Sequence, residues 1–136
     1  MVAHSAIAYR TIQTFTCVLL VGCADQEFDQ RNAEAVVIRH FELLQKGDVE
    51  KAMEQYSDDL FKQPKRNRER WKESLAKLSG TNNYTVNNRM MSRRYGGTVV
   101  DISCQTQYAE RAFTEDFELF RAAGATNFVI TRHDFA

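Results

Sequence analysis

The stretch from residue 33 to residue 61 constrains the fold more than any other, because its pattern is that of two amphipathic helices separated by one glycine. Apolar residues recur at helical spacing in its first half and polar residues occupy the opposite side; the apolar positions are Ala33, Val37, Phe41 and Leu44. Gly47 stands where a left-handed C-terminal cap is favoured, and Asp48 where a side chain can cap the next helix. The sequence therefore predicts two helices that meet at a sharp bend.

A third helix and a series of strands are predicted downstream. Asn67 is placed to cap a helix that extends through Leu78, and Gly80 is placed to end it. From residue 84 the pattern alternates, which is typical of half-buried strands, and we expect strands at 84–91, 98–110, 115–121 and 127–135. This order of elements predicts an α+β domain in which three N-terminal helices pack on a curved four-stranded antiparallel sheet.

Composition limits the kind of protein and of site. A chain of 136 residues, 43% apolar and 26% charged, is typical of one globular domain that needs neither disulfides nor metal to be stable. Basic and acidic residues number 18 each, so net charge gives no reason to expect nucleic acid as a partner. We expect no cofactor and no metal, since the candidate ligands show no ligand spacing; they are His4, His40, His133 and Cys104.

The N-terminal residues have the parts of a bacterial export signal. One positive charge at Arg10 precedes an apolar run that is shorter than the ~20 residues needed to span a bilayer. The run ends in a sequence that resembles the bacterial lipobox, in which the cysteine is acylated; the four residues are Leu20, Val21, Gly22 and Cys23. We therefore expect a signal peptide at 1–22, a short tether at 23–32 and a folded domain at 33–136.

Lipid on Cys23 would attach the domain to a membrane, and we expect it in the cell envelope, facing the periplasm or the extracellular side. An alternative stays open, in which residues 11–22 form an extra strand or helix of the core and Cys23 is a buried thiol.

The order of elements resembles the nuclear transport factor 2-like superfamily, whose members have a cone-shaped α+β fold. The resemblance spans roughly residues 33–135 and depends on Gly47-Asp48, the YSDDLF segment at 56–61 and the closing strand at 128–130. It implies a sheet wrapped around the long first helix, with a cavity that some members use as an active site and others fill or use for binding. Fold alone does not choose between these uses.

The ketosteroid isomerase branch of that superfamily has a tyrosine on the first helix and an aspartate base after the Asp-Asp segment. The corresponding positions here are His40 and Pro64, so both expected groups are missing. The resemblance therefore argues against isomerase chemistry, and the layout is most similar to that of small lipid-anchored bacterial domains.

Four residues are candidates for the lining of the cavity: His40, Trp71, Cys104 and Tyr108. His40 lies beside the apolar stripe of the first helix, where a histidine serves either a structural role or acid-base chemistry. Cys104 alternates with Val100 and Ile102, which predicts a buried and inert thiol. His133 alternates with Thr131 on the last strand and is predicted to be exposed.

Basic residues cluster around the start of the third helix, at Lys62, Lys65, Arg66, Arg68, Arg70 and Lys72. The simpler interpretation is a solvated face. The more specific interpretation is that these residues contact anionic lipid headgroups near the anchor.

We expect a lipid-anchored cell-envelope protein whose domain is not an enzyme and binds a protein partner or a small ligand. The alternative is a small-molecule isomerase, dehydratase or hydrolase that uses His40 with a carboxylate such as Asp101 or Glu118 inside the cone. A homodimer formed through the sheet is a third expectation.

Overall fold

A 33-residue helix, α1 (Gln13–Gln45), opens the fold. The structure, a computed structural model, describes residues 13–80, 82–94, 96–109 and 111–136, with side chains from residue 25 onward. The predicted signal peptide therefore lies partly outside the described residues, and the division into leader and domain stays a prediction. None of the described helices is long and apolar enough to cross a membrane.

Residues 24–32 are helical, whereas the sequence predicted a tether there. The segment contains neither glycine nor proline, so nothing stops the helix of the domain from continuing through it. Glu27 and Arg31, one turn apart, form an ion pair at 2.8 Å. Asp29 pairs with Arg121 of the sheet at 2.7 Å, which ties this part of α1 to the folded domain.

Short helices follow the predicted bend. Gly47 has a φ of 74°, the left-handed conformation expected at a helix end, and the Asp48 side chain accepts from the amide of Lys51 to begin α2 (Val49–Met53). A 3-10 helix (Asp58–Lys62) follows, and Asn67 caps α3 (Arg68–Lys77) through the amides of Glu69 and Arg70. The predicted caps are thus confirmed.

Four strands form one antiparallel sheet in the order in which they occur along the chain. They are β1 (Asn82–Arg94), β2 (Gly97–Tyr108), β3 (Arg111–Ala122) and β4 (Val129–Phe135). The predicted α+β arrangement, with three α-helices followed by a four-stranded antiparallel sheet, is confirmed.

Two register shifts change which residues face inward. One lies between Val86 and Asn88 of β1, after which Met91 packs on the core while Met90 is 59% exposed. The other lies opposite Glu118 and Leu119 of β3, so that Ile130 and His133, three residues apart, are both buried. A bulge adds one residue to a strand and therefore reverses the alternation beyond it.

The apolar stripe of α1 forms the centre of the core. Ala33, Val37, Phe41 and Leu44 have no exposed surface, as the helical spacing predicted. Phe41 stacks on Tyr84 of β1 at 4.5 Å between ring centroids and meets Phe117 of β3 edge-on at 5.8 Å. The helical layer is therefore joined to the inner face of the sheet through aromatic contacts.

Candidate functional site

A chain of four polar side chains crosses the interior between the helices and the sheet. The Tyr108 hydroxyl donates to Glu115 Oε2 at 2.6 Å, and Glu115 Oε1 lies 2.8 Å from His133 Nε2. His133 Nδ1 is in turn 2.7 Å from the hydroxyl of Tyr56. We call Tyr108, Glu115, His133 and Tyr56 the buried polar network, since none is more than 6% exposed.

Strand pairing and one isolated bridge place these groups. His133 lies opposite Phe117 across the β3–β4 pair, and their rings stack at 4.0 Å. Tyr56 is held against β4 because the amide of Ser57 donates to the carbonyl of Ile130 and the amide of Ile130 donates to the carbonyl of Gln55. The backbone thus fixes both ends of the Tyr56–His133 hydrogen bond.

One assignment of protons satisfies every group in the network. Glu115 accepts from Tyr108 and from Nε2–H of His133, and Nδ1 of His133 accepts from Tyr56. Burial lowers the pKa of His133, against the opposing effect of Glu115, which favours the neutral imidazole. Burial also raises the pKa of both tyrosines well above the ordinary value, so both remain donors.

His40 lies next to this network but does not join it. Its ring is 5.4 Å from that of His133 and 5.7 Å from that of Tyr56, measured between centroids. Neither ring nitrogen has a hydrogen-bond partner, and the side chain is fully buried. Burial, followed by the proximity of His133, holds the pKa of His40 well below its usual range, so His40 is a neutral core residue.

A cavity of about 400 Å³ lies between α3 and the end of β4, and His133 is one of its lining residues. We call it the α3–β4 cavity; its lining includes Lys65, Arg66, Arg70, Trp71, Ser74 and Phe135. The Trp71 ring meets the His133 ring edge-on at 5.4 Å. Trp71 Nε1 and Arg66 Nη1 are buried and form no hydrogen bond of ordinary geometry within the described protein, and the Trp71 N–H is directed toward the Tyr56 hydroxyl, where it opposes the effect of burial on the pKa of that tyrosine.

The donors that a ligand in this cavity can reach are those of Lys65 and Arg70, two exposed side chains of the lining. A second cavity, of about 450 Å³ and lined by Val36, Gln55 and Phe128, does not include any member of the buried polar network. The α3–β4 cavity therefore combines apolar walls, convergent donors and contact with the network, as a small-molecule site does.

The four residues predicted to line one cavity do not do so together. Trp71 lines the α3–β4 cavity, and Tyr108 belongs to the buried polar network. His40 and Cys104 are fully buried core residues. Burial raises the pKa of Cys104 to about 12, which keeps the thiol protonated and unreactive, as its alternation with apolar residues predicted.

Two expectations about individual residues were wrong. His133 was predicted to be exposed and is only 1% exposed. The bulge in β4 places its side chain on the same face of the sheet as Ile130, whereas Thr131 lies on the other face. Asp101 and Glu118 lie on the outer face of the sheet, where both are within 3.5 Å of Arg132. They are not inside the cone and do not reach His40.

Sequence reasoning missed two members of the network, Tyr56 and Glu115. A signal for Glu115 was present, since it precedes Phe117 and Leu119 on the same alternation of β3 and all three are fully buried. A charged residue on an apolar face predicts a paired buried group. Among the described residues, no group of three or more His, Cys, Asp or Glu side chains is arranged to hold a metal ion.

Comparisons with known proteins bear on the fold. No protein family and no curated protein matches the sequence. A solved structure from Novosphingobium aromaticivorans DSM 12444, provisionally named a scytalone dehydratase, matches with a TM-score of 0.54. The match has 11% sequence identity and covers 81% of this chain and 84% of that one.

The fold is nuclear transport factor 2-like. The resemblance inferred from residues 33–135 is thus confirmed at the level of the fold. In this nuclear transport factor 2-like domain the interior is occupied by packed side chains of the helices and the strands.

Acid should destabilise this nuclear transport factor 2-like domain through His40. Since the pKa of His40 is lowered by folding, the unfolded chain binds more protons below about pH 6.5, and stability is lost as the pH falls. We expect the unfolding free energy to fall by up to about 1.4 kcal/mol per pH unit for this histidine. Urea unfolding at a series of pH values measures this slope.

His40→Leu should remove that part of the slope, because it leaves no titrating group at the position. Ile38→Leu is the matched control, which places the same side chain two residues earlier on α1 without removing a titrating group and should keep the slope of the parent chain. An unchanged slope in His40→Leu would show that His40 titrates normally in the folded state.

Proposed function

We propose that this domain is a non-catalytic small-ligand-binding module of the cell envelope, attached to a membrane through lipid on Cys23. The observation that carries the binding role is the α3–β4 cavity, which places the exposed cations Lys65 and Arg70 beside the aromatic ring of Trp71. Its volume of about 400 Å³ suits a small organic molecule.

The state of His133 supports binding without catalysis. A general base needs a nitrogen within hydrogen-bond reach of the substrate proton. Both ring nitrogens of His133 are already used, one by Glu115 and the other by Tyr56, and the side chain has no exposed surface. The network therefore has a structural role beside the cavity, where His133 supports the Trp71 ring.

Blocking the cavity tests the binding role. Trp71 is the only tryptophan, so its indole N–H gives one resolved nuclear magnetic resonance signal from inside the cavity. We expect at least one of four single-ring probes, namely benzoate, phenyl phosphate, benzamide and benzyl alcohol, to shift this signal saturably. Ser74→Phe, which fills the cavity from an exposed position of α3, should abolish the shift.

Ala76→Phe adds the same ring at an exposed α3 position outside the cavity lining and should leave binding intact. If no probe shifts the indole signal, or if Ala76→Phe abolishes binding as fully as Ser74→Phe, the binding role is wrong.

The anchor has its own test. The lipobox-like residues at 20–23 support acylation of Cys23, and more than one acyl chain gives stable attachment. In a bacterial host, we expect a labelled fatty acid to mark the parent chain and Cys17→Ser, and not Cys23→Ser. Equal labelling of all three, or of none, would contradict the anchor.

Acid-base catalysis is the second candidate function, because the four titratable groups of the network are joined in series and one of them, His133, lines a cavity. The matching structure that is provisionally named a scytalone dehydratase makes a dehydration the reaction to consider. The pair involved would be His133 and Glu115, and not His40 with Asp101 or Glu118. This role requires a bound ligand to displace Tyr56 from Nδ1 of His133, which would appear as a change of the His133 nitrogen-15 shifts on probe binding.

A further inference from the structure

The basic residues around α3 separate into paired and unpaired groups. Four have carboxylate partners: Lys62 with Asp59, Arg66 with Asp134, Arg68 with Asp58, and Lys72 with Glu50. Lys65 and Arg70 form no ion pair with any carboxylate in the described part of the chain. These two are therefore the cations of the cluster whose charge is not compensated locally.

Both unpaired cations line the α3–β4 cavity, and neither Arg68 nor Lys72 does. Arg66 lines it as well, and uses only Nη2 on Asp134, at 3.0 Å, while its buried Nη1 is left without an acceptor. Asp134 is the one carboxylate of the lining and is shared with Arg132 at 3.2 Å. The cavity thus has an excess of positive charge and of unused donors.

The rest of the lining is of a different kind. Trp71 and Phe135 present aromatic surface, with ring centroids 5.9 Å apart. A ligand that fits would place an apolar or aromatic part against these rings. Its acceptor oxygens would face the three cations.

We infer that the ligand of this cavity is a small organic anion, with a carboxylate or phosphate at Lys65, Arg66 and Arg70 and an apolar part against Trp71 and Phe135. The inference rests on the proposed binding function and adds the chemical class. Charge-assisted hydrogen bonds from arginine and lysine to such oxygens are about twice as strong as neutral ones, and Lys65 and Arg70 gain the anionic partner that they lack among the described residues.

The test compares charged and neutral probes of one size. In the full-length chain, benzoate and phenyl phosphate should shift the Trp71 indole signal with affinities about tenfold higher than those of benzamide and benzyl alcohol, since charged hydrogen bonds exceed neutral ones by this order. The double variant Lys65→Gln/Arg70→Gln should remove that advantage and leave benzamide binding unchanged.

The control is Arg68→Gln/Lys72→Gln, which makes the same change of charge within the same basic cluster at positions outside the cavity lining. It should leave the affinity for both anions as in the parent chain. Benzamide binding as tightly as benzoate would overturn the anionic class and leave the binding function standing, whereas no shift with any probe would overturn both.

Vesicles identify the source of the anion. A shift produced by phosphatidylglycerol vesicles, absent with phosphatidylcholine and abolished by Lys65→Gln/Arg70→Gln, assigns the cavity to a lipid headgroup. A shift produced by the soluble anions alone assigns it to a free metabolite. If Lys65→Gln/Arg70→Gln and Arg68→Gln/Lys72→Gln reduced the Trp71 indole shift equally, the anions would be binding to a non-specific basic surface, which would contradict the inference.

Discussion

Replacement of Glu115 by alanine should lower the unfolding free energy by about 2–6 kcal/mol, because two buried donors lose their acceptor and each costs roughly 1–3 kcal/mol. The two donors are the Tyr108 hydroxyl and Nε2–H of His133, at 2.6 and 2.8 Å from the carboxylate. Glu115→Gln keeps one acceptor oxygen at the site and should lose less than half as much. Urea unfolding measures both variants.

Glu118→Ala is the control on the same strand. Glu118 faces outward, where it pairs with Arg132 at 3.5 Å and accepts from Thr131, and we expect a loss of about 1 kcal/mol or less. Comparable losses in Glu115→Ala and Glu118→Ala would mean that the buried polar network does not hold the interior together.

The second large effect is expected at Phe41, whose ring has no exposed surface and contacts Tyr84 and Phe117 of the sheet. Phe41→Ala leaves a cavity where the helical layer meets the strands and should cost about 3–5 kcal/mol. Phe28→Ala removes the same ring from the same helix at a position that is 64% exposed, and should change stability by less than about 0.5 kcal/mol.

The difference between these two phenylalanine variants tests the packing of α1 on the sheet. Equal midpoints of urea unfolding for Phe41→Ala and Phe28→Ala would show that α1 does not use this face in the core.

The helices could be predicted from the sequence because their signals are local. Gly47, Asp48 and Asn67 act through hydrogen bonds and dihedral angles within one turn, and the spacing of Val37, Phe41 and Leu44 depends only on the helical period. Each of these expectations is confirmed. The start of α1 was missed because residues 24–32 carry no signal that would either require or stop a helix.

The residues of β1 and β4 that face the core could not be predicted, because a single sequence contains no reliable signal for a bulge. His133 was placed with Thr131 by strict alternation, whereas the register shift places it with Ile130. In β1, strict alternation from Tyr84 and Val86 would turn Met90 inward, whereas the register shift packs Met91 on the core and leaves Met90 exposed. An error of one residue in register moves a side chain from solvent to core.

The candidate site depends on distances that no sequence pattern encodes. Tyr56 and His133 are 77 residues apart in the chain and meet only because the segment after α2 pairs with β4. The α3–β4 cavity likewise forms where Trp71 approaches Phe135. The sequence identified the basic cluster, but only the structure separates Lys65 and Arg70 from the cations that already have partners.

The central claim is that every group of the buried polar network has its hydrogen-bond partners and that ligands bind outside the network. The protonation state of His133 tests this claim most directly. Nitrogen-15 shifts of the His133 ring should be recorded at about pH 6.5, where a free imidazole is half protonated. The structure predicts a neutral ring with its proton on Nε2 toward Glu115 and a hydrogen bond from Tyr56 to Nδ1. An imidazolium at that pH, or a neutral ring with its proton on Nδ1, would contradict it.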